Sequence, residues 1–210
     1  MKLYDFSLAP NPRRVRIFLA EKGIEIPMVQ VNTREAEQFS DWFQKINPRG
    51  TIPVLELDDG TLISESVAIC RYFEETQPEP PLMGRDATDR AVVEMWNRRV
   101  EIEGIGAVAA VLRNTLPMFE DRAIAGIPSG VPQLPALAER GRGGYGIFLE
   151  RLDERLGESR FIAGDGFTIA DITAFVAIDT ALRVEMGVPE ARANVRRWQA
   201  EVAARPSASA

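Results

Sequence analysis

One short segment of this chain has the residue types needed to grip a small peptide. Thr51-Ile52-Pro53-Val54-Leu55 is followed about ten residues later by Ser64-Glu65-Ser66. A proline at the first residue of a strand costs no ladder hydrogen bond. With a cis Ile52–Pro53 bond the backbone turns sharply, and the N–H and C=O of Ile52 face outward, open to β-type pairing with an extended peptide. An ordinary trans proline at a strand end fits the same dipeptide. Glu65-Ser66 reads as a helix start, where orphan N–H groups and a positive partial charge welcome a carboxylate. The Ser66 hydroxyl and amide suit a ligand carboxylate and Glu65 suits a ligand ammonium, the two halves of an amino-acid head group. Plain capping, with Ser64 as N-cap and Glu65 favouring the helix dipole, accounts for these residues equally.

Other residues add to this cluster. Arg13, Arg14 and Arg16 crowd the opening turns of a first helix, where cations oppose the dipole unless an anion or neighbouring acids offset them. Asn11 sits between Pro10 and Pro12, either as a plain N-cap or with its amide directed at a ligand. Ser7 ends the preceding strand, where it can serve the local backbone or a ligand. Arg99 and Arg113 could meet an anionic substrate or simply be solvated or ion-paired. Cys70, among Val67, Ile69 and Phe73, reads as an inert core thiol.

These residues need elements to position them. Lys2–Phe6 reads as a strand and Asn11–Lys22 as a helix with a Val15, Phe18, Leu19 stripe, stopped by Gly23. Ile26–Val31 reads as a second strand and Glu35–Ile46 as a second helix. Pro53–Leu57 and Thr61–Ile63 flank Asp58-Asp59-Gly60, a hairpin signal, and Glu65–Glu75 reads as a third helix. The order βαβαββα therefore fills about eighty residues. Thr76 to Pro81 is a proline-rich linker, and beyond it strand signals fade. Arg85–Phe119 and the stretch around Tyr145–Leu156 read as long helices, separated by a Gly/Pro-rich exposed loop from Ala123 to Pro135. Thr168 and Asp171 form a capping-box start, with Phe167 against Ile172 as a hydrophobic staple. Val195, Trp198 and Val202 mark a final helix, and Pro206–Ala210 reads as a frayed tail. The expectation is an α/β unit over residues 1–77 and an all-α unit over residues 86–206.

Composition narrows the chemistry. The chain has 210 residues, no histidine and one cysteine. Ser-His and Cys-His nucleophiles, histidine bases and most zinc sites are thereby excluded, as are an internal disulfide framework and a CxxC redox pair. No metal is expected. A net charge of −6 argues against nucleic acid or an anionic membrane as partner. Met1–Asp5 lacks an apolar core of signal-peptide length, and no run reaches a membrane span, so a reducing cytoplasmic setting is expected.

The residues together resemble the cytosolic glutathione transferases, of bacterial type. Four stretches in order carry the resemblance: Pro10-Asn11-Pro12-Arg13-Arg14-Val15, Ile46-Asn47-Pro48-Arg49-Gly50-Thr51-Ile52-Pro53-Val54-Leu55, Ile63-Ser64-Glu65-Ser66-Val67-Ala68-Ile69 and Phe167-Thr168-Ile169-Ala170-Asp171. The resemblance implies a thioredoxin-like N-terminal domain, an all-helical C-terminal domain, a homodimer and glutathione as co-substrate. It implies a cis bond before Pro53, Glu65-Ser66 holding the γ-glutamyl group, Ile52 pairing with the cysteinyl unit, and Gln38 and Thr51 near the glycine end. The electrophile pocket would draw on Leu8, the helix around Trp96–Arg113 and the Ile124–Pro135 loop. Relatives with a catalytic serine carry it where this chain has Ala9, so Asn11, then Ser7, then backbone amides of Pro10–Arg13 become the candidates for holding the sulfur.

The chemistry required is small. A free cysteinyl thiol titrates near 8.5, so lowering it about two units takes about 2.7 kcal/mol of preferential thiolate stabilisation. One or two hydrogen bonds to the charged sulfur supply that, with no general base. The expected activity is attack of this thiolate on a hydrophobic electrophile or a disulfide. The alternatives are a non-catalytic ligand- or partner-binding protein, which Ala9 favours, and a glutathione-dependent isomerase or dehalogenase.

Overall fold

A computed structural model describes all 210 residues. Strand β1 (Lys2–Asp5) leads into helix α1 (Pro10–Glu21), followed by β2 (Met28–Gln30), the short α2 (Asp41–Gln44), the hairpin β3 (Val54–Glu56) and β4 (Leu62–Ser64), and α3 (Ser66–Thr76). The sheet order is β2-β1-β3-β4. β1 pairs parallel with β2 and antiparallel with β3. This is the thioredoxin-like arrangement, and everything after it is helical: α4 (Ala87–Val100), a π turn (Glu101–Ile105), α5 (Gly106–Thr115), α6 (Pro135–Glu158), α7 (Ile169–Ala181) and α8 (Ala193–Ala203).

Hydrophobic residues from both halves form one core. Val15 and Phe18 of α1 and Ile69 and Phe73 of α3 belong to the same buried cluster as Val111, Phe148 and Trp198. α7 lies at its centre, buried at nearly every position. A smaller cluster of Tyr4, Val31, Phe43 and Val54 packs the other face of the sheet. Because side chains alternate across a strand, neighbouring positions such as Leu3 and Tyr4 enter opposite clusters.

Several elements differ from the expectations. The helix expected over Glu35–Ile46 is two 3-10 turns and the single turn of α2. Ala36 takes a left-handed φ of 60° and Ser40 is extended, which interrupts the helix on both sides. The Glu37 carboxylate, by accepting from the Asn32 N–H at 2.6 Å, folds this stretch back on itself. The second strand shortens to Met28–Gln30, because Pro27 cannot donate to a ladder, although its carbonyl accepts from Leu3 N–H. The long helix expected to reach Phe119 ends at Thr115, before Pro117, and contains the π turn. The Pro206–Ala210 stretch is not frayed. It forms a 3-10 turn with Ser207 and Ala208 buried, held where Arg205 and Ser207 bond Glu21.

The linker is anchored rather than loose. The ammonium of Lys22 is fully buried against Glu74 at 2.8 Å and also donates to the carbonyls of Gln77 and Pro80. Glu74 in turn accepts from the Met83 N–H. A buried charge needs such saturation.

Candidate active site

The N-terminus of α1 is depleted of donors by its own sequence. Pro10 and Pro12 have no N–H, Ala9 N–H is spent on the Phe6 carbonyl, and Arg13 N–H bonds back to Ala9. Asn11 is left as the one residue of the first turn with a free backbone N–H, and its exposed side chain makes no bond within the chain. The expectation that Asn11 caps the helix fails: Ala9 occupies that position, with no side-chain cap.

Asn11 opens onto a cleft of about 180 Å3. On one side lie Ala9, Gln38, Thr51 and Ile52, and on the other Arg113, Phe119, Arg122 and the loop Ile124–Ile127. The structure thus brings four of the proposed site residues, Asn11, Gln38, Thr51 and Ile52, to a single cleft between the sheet unit and the helices. Gln38 is buried and its Oε1 has no partner. Thr51 is held by Asn47, whose Nδ2 donates to the Thr51 carbonyl at 2.7 Å and to its hydroxyl oxygen at 3.1 Å. The Ile52–Pro53 bond is cis, and the N–H and C=O of Ile52 have no partner in the chain.

The glutamate-serine pair sits at the end of the hairpin. The β3–β4 register pairs Val54 with Ser64, so Pro53 faces Glu65. Ser64 belongs to β4 and does not cap α3. Glu65 itself takes the cap position, with φ 71° and ψ 117° and no side-chain cap bond. That backbone is costly for a residue with a Cβ. The Glu65 side chain is exposed and makes no hydrogen bond or ion pair in the chain. Ser66 is buried, and its hydroxyl oxygen accepts from Arg14 Nη1 at 2.9 Å. The same nitrogen of Arg14 donates to Glu101 at 2.8 Å, in the π turn. Arg14 is therefore no solvated cation; it fixes Ser66 from behind. Sequence reasoning had no signal for this role, since its partner lies 87 residues away.

The other arginines of α1 are also paired. Arg13 bonds Asp179 and the Ala208 carbonyl, and Arg16 bonds Asp5 at 2.6 Å and the Ser7 carbonyl. Ser7 is exposed, its N–H donates to Gln30, and it does not line the cleft. Tyr4 is buried with its hydroxyl on Glu56 at 2.6 Å, which removes it as a sulfur ligand. Neither Leu8 nor Trp96 lines the cleft. Trp96 lies between Arg99 and Arg155, in a separate cavity between α4 and α6. Burial pushes the Cys70 thiol up to about 12. No group of three His, Cys, Asp or Glu residues is placed to hold a metal, and no helix is long and apolar enough to cross a membrane.

Comparisons with known proteins agree with this fold. The profile "Glutathione S-transferase, N-terminal domain" matches residues 9–76, and "Glutathione S-transferase, C-terminal domain" matches residues 123–206. Glutathione S-transferase 2 of Saccharomyces cerevisiae is 34% identical over 216 residues, covering 99% of this chain and 87% of that protein. The crystal structure of a glutathione S-transferase domain-containing protein from Marinobacter aquaeolei superposes with a TM-score of 0.91 at 36% identity, covering 99% of both chains. A class Gtt2 glutathione S-transferase of Vibrio parahaemolyticus superposes with a TM-score of 0.83 at 38% identity, covering 99% of this chain and 94% of that one.

Proposed function

The chain belongs to the glutathione S-transferase family, and from that premise we propose that its cleft binds glutathione, holds it as the thiolate and directs the sulfur at an electrophile. Residues 1–77 form the glutathione-binding unit, and residues 86–206 contribute the electrophile side. Glu65 takes the γ-glutamyl ammonium and Ser66, with its hydroxyl and N–H, takes the α-carboxylate. The unpaired N–H and C=O of Ile52 pair with the cysteinyl unit as an added strand. Gln38 and Thr51 receive the glycine end.

Asn11 is the sulfur ligand. The observation that carries this assignment is the pair of prolines around it, which leaves Asn11 as the one source of both an N–H and a side-chain amide at the start of α1. Hydrogen bonds to a charged acceptor contribute about 1.5–3 kcal/mol each, enough to lower the thiol by one to two pKa units. The proton leaves to solvent. The thiolate then forms the carbon–sulfur or sulfur–sulfur bond while the electrophile's leaving group departs with its electron pair. Ser7 stands behind Asn11 as a sulfur ligand: its hydroxyl makes no bond in the chain, but it lies outside the cleft lining.

Retention on immobilised glutathione, with ultraviolet absorbance of bound thiolate near neutral pH, tests the reading. Retention and a thiolate band are expected. Absence of both would remove it. We further propose a homodimer in the cytoplasm. Exposed apolar side chains on β4 and α4, Leu62 and Met95, support the dimer, and the single buried Cys70 suits a reducing compartment. Sedimentation at the mass of one 23.3 kDa chain would refute the dimer.

A further inference from the structure

The helical wall of the cleft carries two arginines and no acid. Arg113, near the end of α5, and Arg122 both line it, and no aspartate or glutamate does. Most other arginines that are even partly buried have a carboxylate partner: Arg13 with Asp179, Arg14 with Glu101, Arg16 with Asp5, Arg205 with Glu21. Arg113 has none. Its guanidinium lies over the Phe119 ring at 4.7 Å and reaches only the Arg122 carbonyl, at 3.5 Å. Arg122 is better satisfied, by the Met118 carbonyl at 2.6 Å, and has no carboxylate either. Burial and the like charge of Arg122 push the Arg113 pKa down, and no carboxylate nearby offsets them. Beside these charges the wall is apolar, through Phe119, Ile124 and Ile127.

Building on the glutathione reading, we infer that Arg113 selects electrophiles that carry a carboxylate or similar anion on an apolar or aromatic body. The planar guanidinium is suited to a bidentate carboxylate, and its seat over the Phe119 ring restricts it before a ligand arrives, so less is lost in ordering it. The apolar loop residues receive the body of the molecule, and the reacting atom faces the sulfur at Asn11. Arg122 adds a second positive charge to the wall and repels a cationic substrate.

The glutathione conjugates of chlorodinitrobenzene and of chlorodinitrobenzoate differ by one carboxylate and serve as probes in calorimetric binding to the full chain, alongside glutathione itself. The wild type is expected to bind the carboxylated conjugate about tenfold more tightly, as one charge-assisted contact supplies. R113Q is expected to bring the two conjugates within about twofold of each other while leaving glutathione affinity within about twofold of wild type. R113K, which keeps the charge but not the fork, is expected to fall between. Equal binding of both conjugates by the wild type overturns the inference without need of any variant. So does a preference that survives R113Q, or a loss in R113Q shared equally by glutathione and both conjugates, which would assign Arg113 to the tripeptide's own carboxylate. Failure of the wild type to bind glutathione or either conjugate would instead take down the glutathione reading, and this inference with it.

Discussion

Asn11 and Glu65 both present exposed side chains that make no bond within the chain, and each can be tested alone. Asn11→Ala removes the side-chain amide but keeps the backbone N–H, so the thiol of bound glutathione is expected to rise by one to two pKa units. Titrating the thiolate absorbance of the complex reads this directly; an unchanged midpoint would move the role to Ser7 or to backbone amides. Glu65, at φ 71°, strains the backbone to present an unpaired carboxylate. Glu65→Gly is therefore expected to stabilise the free protein by about 1 kcal/mol while weakening glutathione binding at least tenfold. Thermal melts and calorimetry should move in opposite directions, and a variant that loses both would mean that Glu65 is structural. At this scale much was legible in the sequence. The family resemblance, carried by short linear motifs, pointed to Asn11, Gln38, Thr51 and Ile52, and these four share one cleft. What the sequence could not reveal is that Ser66 rests on Arg14, which is itself held by Glu101 in the other half of the chain.

At the scale of elements, local rules worked where the signal was local and failed where backbone conformation was overridden. The Thr168–Asp171 capping box forms as its residue types require. Asp171 goes further: its carboxylate also accepts from Ile162 N–H at 3.0 Å and Trp198 Nε1 at 2.9 Å, so one side chain joins three elements. Burial pushes its carboxyl up from 3.8 to about 6, against the four donors that pull it down. The native state therefore holds a proton that the unfolded chain has lost between about pH 4 and pH 6, and this group's share of stability falls as pH rises through that window. Asp171→Asn is expected to lack that slope. Denaturant unfolding at several pH values should show the gap between wild type and D171N narrowing by about 2 kcal/mol from pH 4 to pH 6. A constant gap would mean that the donors outweigh burial. The missing second helix, by contrast, carried no breaker that pattern reading detects: Ala36 is a good helix former, yet here it is left-handed because Asn32 and Glu37 close a turn around it.

For the molecule as a whole, α1 joins everything. Its start lines the cleft, its inner face enters the common core, and its ion pairs reach Asp179, Glu101 and Arg205. The two halves are expected to melt in one transition, because separating them would strand charges as well as apolar surface. Glu101→Ala tests this: it leaves the buried Arg14 unpaired and is expected to cost about 3–5 kcal/mol. It should also lower glutathione affinity through the released Ser66, while Glu101→Gln, which keeps an acceptor, should recover part of both. Stability lost without any change in affinity would confine Arg14 to a packing role. Legibility ended at this scale: composition and linker predicted two units but not that the buried Lys22 would anchor the linker between them. The burial of Cys70 has a practical consequence of another kind. With its only thiol buried in α3 and pushed up by that burial, the folded protein is expected to react slowly with thiol reagents and to contribute little thiolate signal near neutral pH. A thiolate seen in a spectrum near neutral pH is then expected to belong to the ligand, and a cysteine introduced at an exposed position becomes a low-background reporter.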